Sequence, residues 1–278
     1  MTRFLLTGVL ALSATLAQAQ QAPPRDNPYD VIGKVFSPFW TVLLQDNKNA
    51  ANRACTMTIV MTEVSGRLPK QMAGATLRAA VQFPDKVKLE APVMGEDVTV
   101  CRNGENVWAT PGAKVEFLLR QFKAKPPPTR KSNTPLYLPI TATQAIFLPA
   151  LFTVERADVA EVETINGEDC RVITAGLMPQ LAKAAKAEGF RARMWVAAGY
   201  APRRFEITQP DFTATVEIRD LKFSPSLPAS TWQPPAGVTD IYKTNADMLD
   251  AVLFVVMNSL KMNESDAPWQ KAQGFKTE

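Results

Sequence analysis

Between residues 55 and 90, and again between 192 and 219, apolar and polar side chains alternate one for one. Cys55, Met57, Ile59 and Met61 are interleaved with Thr56, Thr58 and Thr62. Leu77, Ala79, Val81 and Phe83 alternate with Thr76, Arg78 and Gln82, and beyond Pro84-Asp85 the pair Val87 and Leu89 alternates with Lys86, Lys88 and Glu90. Later, Ala192, Met194, Val196 and Ala198 alternate with Arg193, Trp195 and Ala197. Phe212, Ala214, Val216 and Ile218 do so with Thr213, Thr215, Glu217 and Arg219. A two-residue period puts one set of side chains on an apolar interior and the other in water, so each run predicts a half-buried antiparallel strand.

Turn chemistry joins these runs. Asn103-Gly104-Glu105 separates the strands 97–102 and 106–110, and Asn166-Gly167 separates 160–165 from 168–175. Asn-Gly tolerates positive φ, which tight hairpins need. Roughly nine or ten strands in sequential hairpins favour a strongly curved sheet or barrel. Helical spacing marks 31–44, where Ile32, Val35, Phe36, Phe39 and Leu43 share a face, Asp30 is placed to cap, and Pro38 predicts a kink or break. Shorter helices are predicted over 178–188 and 141–152, the latter carrying Ile146, Leu148 and Leu151. The tail 245–261 encloses an unbroken apolar run, residues 251–257, which leaves a helix no polar face there. That run must be buried, cover an apolar opening or meet a partner.

The expected fold class is α+β: one domain, an incomplete and strongly curved antiparallel half-barrel with helices covering its concave face. Residues 1–19 read as a signal peptide, 20–240 as the half-barrel, and 241–278 as a helical extension and tail. Arg3, the apolar run Phe4 to Leu16, and Ala17-Gln18-Ala19 form the three-part export pattern, so the mature chain is expected to begin near Gln20 in the periplasm. The apolar run is too short to span a bilayer, and no cysteine follows the cleavage site to take a lipid anchor. Apolar residues make up 46% of the 278, enough for a sizeable core. The formal charge of +4 falls to +3 when Arg3 is removed, too weak a basic bias to argue for nucleic acid.

The chain has no histidine. Ser-His-Asp and Cys-His catalysis are therefore excluded, and the commonest metal ligand is missing. Cys55, Cys101 and Cys170 are too far apart in sequence to form a C-x-x-C pair, permit at most one internal disulfide, and read as buried small apolar residues. Asp211, Glu217 and Asp220, and likewise Glu161, Glu163, Glu168 and Asp169, are close in sequence, as acids on turns and exposed strand faces commonly are. No phosphate loop or nucleophile elbow occurs. The stretch 120–140 is basic and Pro-rich, with Arg120, Lys123, Lys125, Arg130 and Lys131. It reads as a solvated loop, with contact to anionic head groups or an acidic partner as the functional alternative.

The hairpin Thr99-Val100-Cys101-Arg102-Asn103-Gly104-Glu105-Asn106-Val107-Trp108-Ala109-Thr110-Pro111 resembles the "dG-x-x-lW-x-y-x-P" hairpin of the LolA-type periplasmic lipoprotein carriers. Phe83-Pro84-Asp85-Lys86-Val87-Lys88-Leu89-Glu90 is similar to that family's "rPnlfrw" strand pair. The stretch Phe223 to Val238, closing in Thr231-Trp232-Gln233-Pro234-Pro235-Ala236-Gly237-Val238, resembles its "f-x-f-x-P-P-x-G-v" terminus. The resemblance implies a half-open barrel whose helices form a lid over an apolar concavity that receives acyl chains. The family's arginine before the Pro, which ties lid to barrel, is Phe83 here, and the tail beyond Val238 exceeds the family pattern.

Residues and resemblance together predict a non-catalytic periplasmic carrier of lipoprotein acyl chains or another lipid. No cofactor, metal or nucleic acid is expected, and no membrane-spanning segment. Its partners would be the acyl chains themselves and inner- and outer-membrane lipoprotein-sorting proteins. Predicted cavity lining is Met57, Ile59, Met61, Leu77, Val81, Phe83, Val87, Leu89, Val98, Val100, Met194, Val196, Phe212, Val216 and Ile218, with Ile146, Leu148 and Leu151 in the lid. Methionines suit varied apolar partners, and Ala79, Ala192, Ala198 and Ala214 leave room beside them. The alternative on the same fold is a protein-interaction or sensor module without lipid cargo, docking through its tail helix.

Overall fold

A computed structural model of the chain describes residues 27–43, 53–123, 148–155, 161–184 and 186–259. The predicted export signal, Ile146 of the lid and most of the basic Pro-rich stretch lie outside the described residues.

Among the described residues twelve strands form one sheet. They are β1 (Ala54–Gly66), β2 (Thr76–Gln82), β3 (Lys86–Val93), β4 (Glu96–Asn103), β5 (Asn106–Thr110), β6 (Phe152–Glu155), β7 (Glu161–Ile165), β8 (Glu168–Leu177), β9 (Arg191–Val196), β10 (Pro202–Gln209), β11 (Phe212–Ser224) and β12 (Tyr242–Asn245). Their order is β12-β5-β4-β3-β2-β1-β11-β10-β9-β8-β6, with β7 also paired to β8. Every pairing is antiparallel and the ends do not meet, so the sheet is an unclosed half-barrel. The pattern-derived count fell short because β6 and β12 are only four residues each, too short for alternation to register.

Two meanders, β1–β5 and β8–β11, are stitched along β1 and β11, thirteen residues each. The hairpins fall where Asn-Gly predicted them: Gly104 has φ 64°, and Asn166 and Gly167 have φ 52° and 83°. Gly66 (φ 72°) is needed where β1 passes the β10–β11 turn, because a Cβ there would collide with the Asp211 carbonyl.

Among the described residues four α-helices accompany the sheet: α1 (Pro28–Leu43), α2 (Gly112–Gln121), α3 (Pro179–Ala184) and α4 (Leu249–Ser259). The cap of α1 is Asn27, whose Oδ1 accepts the Tyr29 N–H at 3.0 Å, and Asp30 sits in the first turn. Pro28 occupies the first helical position, where its missing N–H costs nothing. The expected break at Pro38 is absent. Phe36 before the proline packs on Phe205 of β10 and Phe39 after it meets Phe223 of β11 edge-on, so tertiary packing holds the helix on both sides of the proline. The helix predicted over 178–188 is shorter, Pro179–Ala184, with Met178 outside it and exposed. In place of the end of a 141–152 helix, Leu148–Leu151 is a single 3₁₀ turn and Phe152 opens β6. Pro149, which has no N–H to donate, sits inside that turn.

The apolar run of the tail is accounted for by α4. Ala251, Val252, Val255 and Val256 are buried with Leu118 and Leu119 of α2 against Val98, Val100, Val107 and Ala109 of the sheet. Residues 242–259 thus add a last strand, paired to β5, and a helix that belongs to the core. Gly112 permits this closeness, since a Cβ there would run into the Tyr242 backbone nitrogen.

Candidate ligand-binding face

In an antiparallel pair, directly opposed residues share a face of the sheet. Following the register across all strands gives continuous cross-strand rows. One runs Met61–Val216–Phe205–Met194–Ile173 across β1, β11, β10, β9 and β8. A second runs Ile218–Ile59–Leu77. A third runs Met57–Ala79–Leu89–Val100–Ala109 across β1 to β5. A fourth, Cys55–Val81–Val87–Arg102–Val107, contains the single charged residue among these. Every predicted lining residue on a strand therefore lies on one face: Val98 opposes Ala91 in the β3–β4 pairing, Val196 neighbours Met194 at two-residue spacing, and Phe212 opposes Gly66. Phe83, just past β2, is buried beside Cys55 and Val42 of α1 on the same side.

Helices then divide that face into three parts. Val31, Ile32 and Val35 of α1 bury Met194, Val196 and Ile173, while Val42 near its C-terminus packs with Cys55 and Phe83, where Met57, Val81 and Phe223 are half-buried. At the other end α2 and α4 bury Val98 and Val100, with Val87 packed alongside. Between them Ile59, Met61, Leu77, Leu89, Phe212, Val216 and Ile218 are half-buried and belong to none of these clusters. Ala79 and Ala214 lie in the same strip, and Ile207, opposite Ala214, is 38% exposed at its margin. The predicted lining is thus part helix-covered core and part accessible apolar strip. Of the lid, Leu151 is exposed in its 3₁₀ turn, where neighbouring Pro149 approaches Gly33 of α1; Leu148 lies in that turn too.

Sequence reasoning passed over Phe205, Ile207, Ile173 and Val154, which share the face. The signal was available, since Phe205 and Ile207 alternate with Arg204, Glu206 and Thr208.

The opposite face carries two smaller buried apolar clusters, one of Ile165, Cys170, Val172, Trp195 and Ala197 and one of Ala80, Cys101, Trp108 and Trp232, and beside them it is densely ion-paired. Glu155 binds Arg191 and Glu163 binds Arg193, the latter at 2.8 Å. Glu163 also accepts the Trp195 indole N–H at 2.8 Å, and that bond foremost holds its carboxyl below the usual carboxylate range. Glu168 takes Arg203 at 2.8 Å, Asp211 takes Arg67 at 2.9 Å, and Asp169 accepts the Thr164 hydroxyl at 2.8 Å. The acidic clusters noted in the sequence are therefore largely engaged as ion-pair and hydrogen-bond partners across strands. Among the described residues no group of three or more Cys, Asp or Glu side chains is placed to hold a metal ion, and no helix is long and apolar enough to cross a membrane.

Cys55, Cys101 and Cys170 are all buried free thiols. Burial pushes the Cys55 thiol up to about 11 and the Cys101 thiol up to about 12. They pack as small apolar residues, as expected.

No family model matches the sequence, and no curated protein matches it either. Solved structures do. LppX, a lipoprotein of Mycobacterium tuberculosis, aligns over 72% of this chain and 96% of its own at 12% identity and a TM-score of 0.40. LprF from Mycobacterium bovis aligns over 78% and 99% at 9% identity and a TM-score of 0.37. A domain assigned to outer-membrane lipoprotein sorting, from Vibrio parahaemolyticus, aligns over 74% and 95% at 11% identity and a TM-score of 0.28. The likeness is one of fold.

Proposed function

We propose that this protein is a non-catalytic carrier that shelters acyl chains, of a lipoprotein or another lipid, on the strip centred on Ile59, Met61, Leu77, Val216 and Ile218. The observation that carries the reading is the position of that strip: in register on one face, half-buried, and flanked by helix-packed cores. Hydrocarbon binding needs area and no specific polar contact, contributing about 0.8 kcal/mol per buried CH₂. Methionine beside alanine gives a surface that adapts to chains of different shape. The engagement of the candidate acids in cross-strand pairs, together with the absence of histidine, supports a role without catalysis.

On this reading the chain is exported by its N-terminal signal and works in the periplasm, receiving cargo from one membrane-associated sorting protein and delivering it to another. The test is extraction of a fluorescent fatty acid by delipidated protein, followed by native mass spectrometry of protein purified from the periplasm. A saturable blue-shifted signal and a co-purifying lipid are expected. Protein that ignores the probe and carries no lipid overturns the reading.

A further inference from the structure

A hollow of about 240 Å³ opens on the face opposite the apolar strip, between β11, β1, β2 and β3 and beside the cluster of Ala80, Cys101, Trp108 and Trp232. Register explains it. Lys222, Thr56, Ala80 and Lys88 stand in one cross-strand row, and the Ala80 methyl leaves a gap between two long cationic side chains. In the next row Thr58 and Arg78 close one side, and Thr231 brings a third hydroxyl from the turn Ala229–Trp232. Asp220 is in the left-handed region, φ 52°, at the irregularity of β11 where its pairing slips between Thr56 and Thr58. The bulge turns its carboxylate side of the strand toward the hollow's rim.

Three cations, Arg78, Lys88 and Lys222, line the hollow against two carboxylates, Glu90 and Asp220. Glu90 is occupied, lying 2.8 Å from Lys88 and 3.7 Å from Arg78. Lys222 is exposed and makes no ion pair among the described residues. Lys86 adds to the positive field from above Trp232, 5.9 Å from its ring centroid.

We propose that this hollow binds a small phosphate-bearing polyol, its phosphate held by the Lys222 ammonium and the Thr56, Thr58 and Thr231 hydroxyls. Phosphate oxygens accept from hydroxyl and ammonium donors, and charge-assisted bonds of this kind are the strong ones. Asp220 is an acceptor only; it repels a bare anion from its side and receives hydrogen bonds from the polyol hydroxyls. The phosphate belongs either to a free metabolite or to a lipid head group. Since the hollow and the apolar strip occupy opposite faces, the proposal stands apart from the carrier reading.

The test is a titration of the full chain with glycerol 3-phosphate, followed by amide NMR, with glycerol and inorganic phosphate as controls. Glycerol 3-phosphate should shift the amides of Thr56, Thr58, Thr231 and Lys222, and glycerol should not. Lys222→Ala should weaken binding about tenfold, about 1.4 kcal/mol, Thr56→Val severalfold, and Lys222→Arg should retain it. Lys222 is exposed, so unchanged circular dichroism checks that the variant folds. Sedimentation with phosphatidylglycerol vesicles separates the sources: co-sedimentation lost in Lys222→Ala supports a head group, and binding of the soluble ligand alone supports a metabolite. No localised shifts with glycerol 3-phosphate, equal shifts with glycerol, or shifts indifferent to both Lys222→Ala and Thr56→Val overturn the proposal.

Discussion

Arg204 Nη2 lies 2.8 Å from Glu217 Oε1, straight across the β10–β11 pairing. Arg219 donates to the other carboxylate oxygen at 2.7 Å, and the Glu217 side chain is 7% exposed. These bonds, Arg204's first, hold the Glu217 carboxyl below the usual carboxylate range. A carboxyl whose pKa falls on folding contributes stability that is complete above its unfolded value, about 4.3, and is lost as pH drops through the folded value. Glu217→Gln is therefore expected to cost about 1–3 kcal/mol at neutral pH, with the gap to the parent protein narrowing below about pH 4. Denaturant melts at both pH values measure it, and a gap independent of pH would contradict the assignment.

The strip and the covered core should separate in mutagenesis. Leu77→Gln, in the half-buried strip, is expected to weaken fatty-acid binding about tenfold with little change in melting temperature. Val98→Ala, at a fully buried position under α2 and α4, should lower stability by about 1–3 kcal/mol and leave affinity within about twofold. If both variants bind as the parent does, the strip is not the lipid site.

Thiol chemistry reports on burial. Cys55 and Cys101, raised to about 11 and about 12, and Cys170, also raised by burial, should resist a disulfide reagent at pH 8 in the folded protein. All three should react promptly in guanidinium. One rapidly labelled thiol in the native state would mean that its sheet region opens.

The tail helix should prove structural. Val252 has no exposed surface, so Val252→Asp is expected to destabilise by more than about 3 kcal/mol, burying a charge without a partner. A variant that melts like the parent but loses a protein partner would restore the docking role for this helix.

Much of the sheet was legible because alternation of the kind in Thr56–Met61 and Thr213–Ile218 is imposed residue by residue by the pleat. The shared face of Met57, Leu77, Val100 and Met194 followed from the same rule, and the register observed joins them. What alternation could not convey was which part of that face the helices would cover. Val98 and Ile59 look alike in sequence, yet one is sealed under α4 and the other is half-open, a difference set by contacts distant in the chain. The hollow behind β2 was equally hidden. It depends on Ala80 standing between Thr56 and Lys88, a juxtaposition that exists only once three strands are in register.

The seam between β1 and β11 joins the first strand of one meander to the last strand of the other, Ala54 opposite Ser224 and Gly66 opposite Phe212. Each meander closes through short local turns, whereas the seam must recruit partners separated by most of the polypeptide, a search that slows folding. The two flanks are thus expected to gain protection from hydrogen exchange early during refolding and the β1–β11 amides last. The half-buried apolar strip would then come into existence only at the final step, since Ile59 against Ile218 is the seam itself.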